Sequence, residues 1–176
     1  EEFRQGQNEI INSIVNKKNV LAIMPTGAGK SLCYQIPAII GEKKTIVISP
    51  LVALMDDQVS ALKQNKVSAE RLHSHMSDTK NKEIWDSFCN ENIKILYMSP
   101  EALMSPSKLD VIKTLDIGLF VVDEAHCISK WGPGFRKDYE ALSQLKEIFP
   151  NTNISAFTAT ADKATREDIM EKLTNN

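Results

Sequence analysis

The chain has 176 residues, 42% of them hydrophobic and 25% charged, with a formal net charge of −2. That length and composition suit one soluble domain with a sizeable core, and they exclude a disordered or low-complexity chain. The near-neutral balance excludes a globally basic nucleic-acid binder, so any nucleic-acid contact must come from local loops. Three cysteines, Cys33, Cys89 and Cys127, are too few and too scattered for a disulfide framework or a zinc site, which fits a reducing, intracellular compartment. No apolar run approaches the ~20 residues of a membrane span, so no membrane partner is expected. Nor is there a secretory signal segment.

In chain order, Phe3-Arg4-Gln5-Gly6-Gln7 precedes a stretch with Ile10, Ile11, Ile14 and Val15 at helical spacing, predicting a helix over 8–16. The Gln7 amide can both donate and accept, which suits the edge of adenine. Taken alone, Gln7 and Arg4 read as solvated helix residues.

Val20 to Ile23 is a short apolar strand. It runs into Met24-Pro25-Thr26-Gly27-Ala28-Gly29-Lys30-Ser31 and then a helical stretch over 32–40. Strand, glycine-rich turn and helix form the setting of a phosphate-binding loop. Gly27 and Gly29, without Cβ atoms, let successive backbone N–H groups turn onto a polyphosphate. The following helix start favours the same anion. Lys30 can reach the β/γ-phosphates and the Ser31 hydroxyl can ligate Mg²⁺. The strict pattern has glycine where this chain has Met24.

Thr45 to Ser49 is a β-branched run ended by Pro50, predicting a buried parallel strand. Leu51, Leu54, Met55, Val59 and Leu62 predict a helix over 51–62, with Asp57 and Gln58 on its solvated face. A weak strand follows over 67–72. Ser77 and Asp78 cap a helix over 79–89, with Ile84, Trp85 and Phe88 inward. His73 and His75 read as surface residues. Strands over 93–98 and 119–122, a helix over 106–115, one continuous helix over 138–149, a strand over 154–158 and a helix over 163–173 capped by Asp162 complete the chain. Regular alternation of strand and helix predicts an α/β fold with a central, mainly parallel sheet and helices on both faces.

The 119–122 strand ends in Asp123-Glu124-Ala125-His126. Two carboxylates at the end of an apolar strand are costly unless paired. Mg²⁺ on a nucleoside triphosphate is such a partner, with Asp123 holding the metal opposite Ser31 and Glu124 polarising the attacking water. Together with the phosphate loop the pair predicts a Mg-nucleoside triphosphatase.

Five ordered motifs now stand on the page: Phe3-Arg4 with Gly6-Gln7; Met24 to Gln35; Ser49-Pro50-Leu51 with Leu54, Met55, Asp57 and Gln58; Asp123 to Cys127; and Phe157-Thr158-Ala159-Thr160-Ala161. Over essentially the whole chain they resemble the motifs of RecQ-type superfamily 2 DNA helicases. The resemblance implies a RecA-like P-loop NTPase domain over 1–176, the first of two motor lobes of a longer enzyme. It implies ATP and Mg²⁺ as cofactors and single-stranded or forked DNA as partner, together with a second RecA-like domain of the same full-length chain. The implied activity is ATP-driven 3′→5′ unwinding in recombination and repair, in the bacterial cytoplasm or a eukaryotic nucleus.

By the same resemblance, Arg4 and Gln7 match the adenine-reading motif. Thr26, Gly27, Ala28, Gly29, Lys30 and Ser31 match the nucleotide cradle, with Ser31 and Asp123 on the metal. Glu124 matches the catalytic base. His126 matches the link to Thr158-Ala159-Thr160. Ser49, Pro50, Leu51, Ser99 and Pro100 match the single-strand track, where backbone amides and small side chains contact phosphates. The segment Ser129 to Tyr139 resembles the aromatic-rich loop of RecQ helicases, so Lys130, Trp131, Phe135 and Arg136 match DNA contacts. Aromatics beside cations in a glycine-containing loop suit base stacking; packing as a hydrophobic lid is the other reading. Many relatives carry a histidine and an acidic residue between Gly132 and Phe135, where this chain has Pro133 and Gly134. Because the arginine finger of the family lies in the second lobe, this chain alone is expected to bind Mg-ATP weakly and hydrolyse it slowly. An RNA-directed superfamily 2 ATPase and a non-catalytic nucleic-acid-binding module are the competing classes.

Overall fold

In the computed structural model, which describes residues 2–4, 6–25, 29–90 and 92–174, alternating strand and helix signals become one wound sheet. The strands are β1 (Val20–Ile23), β2 (Lys44–Ile48), β3 (Ala69–Leu72), β4 (Ile95–Met98), β5 (Ile117–Val122) and β6 (Asn153–Thr158). Among the described residues they form a single sheet in the order β1-β6-β5-β2-β4-β3, with every neighbouring pair parallel. The expected mainly parallel sheet is therefore parallel throughout.

The helices are α1 (Gln7–Val15), α2 (Lys30–Ile40), α3 (Val52–Gln64), α4 (Asp78–Cys89), α5 (Pro100–Leu103), α6 (Pro106–Ile112), α7 (Lys137–Glu140), α8 (Leu145–Ile148) and α9 (Lys163–Leu173). Alternation along the strands divides the core in two. Ile46, Ile48, Leu96, Met98, Phe120 and Val122 face the cluster built with Ile84 and Phe88 of α4, Leu103 of α5, Ile112 of α6 and Ile169 of α9. Val47, Ile95, Tyr97, Val121 and Phe157 face the cluster built with Ile11 and Ile14 of α1, Tyr34 of α2 and Met55 and Val59 of α3. Both faces of the sheet are covered, which is why its central strands read as unbroken apolar runs.

Ser77 caps α4, its hydroxyl accepting from Lys80 N at 3.1 Å, and Asp162 caps α9, accepting from Thr165 N at 2.8 Å. Three expectations are corrected. The helix expected over 138–149 is broken into α7, a 3₁₀ turn over Ala141–Gln144, and α8. The residues buried there, Tyr139, Leu142 and Leu145, recur every third position, and a 3₁₀ turn aligns i and i+3 on one face. Second, the Pro100 segment forms the short helix α5, capped by Ser99, whose hydroxyl accepts from Ala102 N at 3.2 Å. Third, His73 is not a surface residue. Its side chain is 5% exposed, with Nε2 3.0 Å from Asp56 Oδ1 and Nδ1 accepting from His75 N at 3.2 Å. Arg71 Nε also meets Asp56 Oδ1 at 2.8 Å, and these partners hold the Asp56 carboxyl below its ordinary range, Arg71 contributing most.

Because all strands are parallel, their carboxyl ends lie on one rim. Register pairs Ile48 with Met98 and Val122, Leu72 with Met98, and Ile23 with Thr158. The segments that begin at Met24, Ser49, Ser99 and Asp123 each start where one of these strands stops. The general rule for such sheets is that ligands bind outside this rim.

Candidate active site

Lys30 begins α2, and the residue before it, Gly29, sits at φ +77, a left-handed conformation that glycine adopts without strain. A Cβ on Gly29 would fall 2.3 Å from Gln7 Nε2. That Gln7 amide donates to Gly29 O at 3.0 Å, and its Oε1 accepts from Arg4 N at 2.6 Å. Gln7 is 2% exposed, so reading it as a solvated residue is wrong; it clamps the end of the phosphate loop to the start of α1. Arg4 is exposed. Thr26, Gly27 and Ala28 lie outside the described residues.

Asp123 leaves β5 with its N–H donating to Ile48 O at 2.9 Å, and its own carbonyl accepts from the buried Tyr139 hydroxyl at 2.9 Å. The side chain is almost wholly buried. Its Oδ1 accepts from Glu124 N at 2.9 Å, which bends the chain sharply, and Glu124 takes up φ 52, ψ 43. A glutamate in the left-handed region costs about 1–2 kcal/mol, and such strain concentrates where a side chain must be aimed. Here it turns the carboxylate back over the rim. Lys30 Nζ lies 3.0 Å from Asp123 Oδ1 and 3.3 Å from Glu124 Oε1. Burial alone would lower the Lys30 pKa, but the two carboxylates outweigh it and raise it above the ordinary lysine value.

The other Glu124 oxygen, Oε2, lies 3.5 Å from His126 Nε2, while His126 Nδ1 is 2.7 Å from Thr158 Oγ1. The Thr158 hydroxyl also donates to Thr160 O at 3.1 Å, so it receives at Oγ1 from the histidine nitrogen, which fixes a proton on Nδ1. A continuous polar chain thus runs from Lys30 through Glu124 and His126 to Thr158 at the ends of α2, β5 and β6. Cys127, beside it, is pushed up to about 11 by burial and then by the Glu124 charge, so it is a protonated packing residue.

The aromatic-rich segment lies against this chain. Arg136 N donates to Cys127 O at 2.9 Å, and Gly134, at φ +87, leaves room where a Cβ would come 3.3 Å from the His126 ring. Trp131 is 74% exposed, whereas Phe135 is half-buried with Lys130 Nζ 5.8 Å from its ring centre. Lys130 also pairs with Glu140 at 3.4 Å and Arg136 with Asp138 at 3.5 Å. Exposure therefore divides the two aromatics: Trp131 is presented to solvent, and Phe135 is partly a lid.

Farther along the rim, Ser49 is buried, and its hydroxyl accepts from Leu51 N at 3.4 Å; Leu51 is 48% exposed. Pro100 is buried, and Ser99 is half-buried. The two serine hydroxyls shape the strand-end turns while keeping their own protons for an acceptor. One partnership was not legible in the sequence. Gln35 Nε2 donates to Gln58 Oε1 at 2.8 Å and to the Tyr97 hydroxyl at 3.1 Å, which meets Tyr34 OH at 3.1 Å. This buried network joins α2, α3 and β4 directly beneath the rim, so Gln58 is not on a solvated face. Single glutamines in amphipathic patterns carry no signal that distinguishes a partner from water.

Comparison with known proteins places this geometry. The profile described as "DEAD/DEAH box helicase" matches residues 4–169. The chain belongs to the DEAD/DEAH box helicase family. It is 46% identical over 171 residues to an ATP-dependent DNA helicase RecQ of Pasteurella multocida, covering 97% of this chain and 27% of that protein. The chain thus spans about a quarter of that relative's length. Among solved structures, it resembles a hypothetical ATP-dependent RNA helicase from Sulfolobus tokodaii, with a TM-score of 0.75 at 22% identity over 99% of this chain and 51% of that one. It also resembles the DUF1998 helicase MrfA bound to DNA and AMPPNP, with a TM-score of 0.76 at 19% identity over 97% of this chain and 25% of that one. The fold is that of RecA-like helicase domains. Since a DNA-bound and a hypothetical RNA helicase share it, the fold by itself does not choose the nucleic acid.

Proposed function

We propose that this chain is the first motor lobe of a RecQ-type, ATP-dependent DNA helicase, working inside the cell in recombination and repair. The observation that carries the reading is the convergence of Lys30, Asp123 and Glu124 within 3.3 Å at one rim, continued by His126 to Thr158. The identity to a RecQ protein over nearly all of this chain supports DNA over RNA as partner.

The substrate is ATP. Lys30 holds two carboxylates by a single ammonium, so a polyphosphate arriving at the loop competes for that ammonium and leaves the acidic pair in need of a cation. Hard oxygen donors of that kind suit Mg²⁺, held by Ser31 and Asp123. With Ser31 and Asp123 as protein ligands, oxygens of the bound triphosphate would complete the set around the cation. Bound there, Mg²⁺ neutralises charge on the phosphates. Glu124 positions and polarises water, and its aim is fixed by the strained backbone and by His126. His126 carries its position to Thr158, and the aromatic-rich segment lies on His126, so strand binding at Trp131 reaches the water-activating residue through two contacts, the segment on His126 and His126 on Glu124. A second RecA-like domain closes the other side of the ATP and supplies the 3′→5′ step.

The test is ATP hydrolysis by the full-length protein with and without single-stranded DNA, for wild type and Glu124→Gln. General-base loss lowers the rate by about 10²–10⁴ while ATP is still bound. Undiminished hydrolysis in the variant refutes the assignment. Stimulation by RNA equal to that by DNA transfers the reading to an RNA-directed ATPase.

A further inference from the structure

Beyond the serine-lined track, the same rim carries a cleft that the ATP chemistry does not use. It encloses about 590 Å³ between the first turns of α4 and the α5–α6 segment, at the carboxyl ends of β3 and β4. That volume is within the range of small-ligand sites. Ser99, at the end of β4, forms one wall and His73, at the end of β3, another. Strands β2, β4 and β3 are consecutive neighbours, so the cleft continues the line from Ser49 to Ser99 by one more strand spacing, about 4.8 Å. A single strand following that line advances by one or two nucleotides into the cleft.

The lining is that of a base site. Trp85 is half-buried, stacked on Phe88 with ring centres 6.0 Å apart and planes at 16°, which fixes its ring. Lys108 Nζ lies 5.4 Å from the Trp85 ring centre. The Asn81 amide is oriented by donating through Nδ2 to His73 O at 3.0 Å and Met76 O at 3.5 Å. Its Oδ1 is buried and without a partner. Charge in the cleft is balanced, Lys82 and Lys108 against Asp78 and Glu101, so it does not call for a free anion. It suits a neutral ring, stacked on Trp85, with a phosphate at its edge.

We infer that this cleft receives one unstacked nucleobase of the translocating single strand, beyond the Ser99 phosphate contact. The base lies against Trp85, and Lys108 moves from the ring to the adjoining phosphate. Every base offers a ring face, so the site is tolerant of sequence. His73 takes no direct part: both its ring nitrogens are committed, to Asp56 and to His75 N, so the ring holds the β3 end against α3 while its backbone carbonyl accepts from Asn81 of α4. The inference rests on the proposed single-strand track.

Of this chain's two tryptophans, Trp131→Phe removes one while keeping an aromatic ring in the loop, and the emission lost on adding Trp85→Phe isolates the Trp85 signal in the full-length protein. Titration of that variant with an oligothymidylate of about 15 nucleotides, followed by tryptophan emission and in parallel by anisotropy of a labelled strand, reads the cleft directly. The expected result is a saturable change in Trp85 emission that tracks binding. Adding Lys108→Ala weakens binding about tenfold, the scale of one stacking or phosphate contact, and moves the emission change to correspondingly higher strand concentration. ATP hydrolysis without DNA and the thermal melt stay the same. Binding by anisotropy with a silent Trp85 and an unchanged Kd in Lys108→Ala overturns the cleft and leaves the track standing. No strand binding by any variant, or by wild type, overturns the track and the cleft together.

Discussion

Replacing Gly29 with alanine tests whether the Gln7 clamp is an energetic unit. Two costs follow from the geometry. An L-residue at φ +77 costs about 1–2 kcal/mol. The new Cβ, 2.3 Å from Gln7 Nε2, forces the amide away and breaks its 3.0 Å bond to Gly29 O. Gln7 is 2% exposed, so losing this buried hydrogen bond costs about 1–3 kcal/mol. The sum is about 2–5 kcal/mol, a large share of a domain's ordinary stability. In a Gln7→Ala background the second cost vanishes, because the displaced group is no longer there, and Gly29→Ala costs only the backbone portion. Urea unfolding of the four proteins gives the interaction energy of the cycle, expected at about 1–3 kcal/mol. If Gly29→Ala costs the same in both backgrounds, the clamp contributes nothing and the stability of the loop end comes from elsewhere.

Two further predictions concern the charge and the polar core. The Lys30 pKa is raised above 10.5 in the folded chain, the carboxylates overcoming the lowering effect of burial. Its contribution is therefore present in full below the unfolded value of 10.5 and is lost as pH rises through the higher folded value. In urea unfolding as a function of pH, the stability difference between wild type and Lys30→Met narrows in alkaline solution; a difference that widens there refutes the sign. Tyr97→Phe removes a buried hydroxyl that accepts from Gln35 Nε2 and meets Tyr34 OH, both at 3.1 Å. It costs about 1–3 kcal/mol in the same assay, and a variant as stable as wild type refutes the network as a stabilising element.

The fold was legible where burial on both sides forces an apolar run, as at Thr45 to Ile48 and Leu119 to Val122, and where a cap announces a helix, as at Ser77 and Asp162. The 138–149 segment was not, because its residues favour a helix and only the three-residue spacing of Tyr139, Leu142 and Leu145 betrays the tighter turn. At the site, residue types and order were enough to nominate Lys30, Asp123, Glu124 and His126. Their arrangement was not legible, because it depends on two features no residue type encodes: the left-handed backbone of Glu124 and the parallel register that puts the ends of β5 and β6 side by side. The glutamines Gln7 and Gln58 were misread for a related cause. A polar residue on an amphipathic helix has the same periodicity whether it meets water or a buried partner.

The Pro133-Gly134 pair has a physical consequence in this structure. A charged side chain at that point would sit beside the Glu124–His126 pair and act on it through its field. Gly134 instead brings bare backbone against His126, with room for no more than a Cβ at 3.3 Å, and Arg136 N anchors the same segment to Cys127 O. Contact of that kind is short-ranged and steep: a shift of a few tenths of an ångström in the segment displaces the imidazole or releases it. Trp131 projects from the other end of this six-residue segment at 74% exposure, its backbone N–H donating to Ser129 Oγ at 3.2 Å, so most of its ring is open to a ligand. In the proposed enzyme, then, DNA on Trp131 acts on His126 sterically through the backbone, and salt, which screens charge coupling, should leave that transmission intact while it weakens the phosphate contacts.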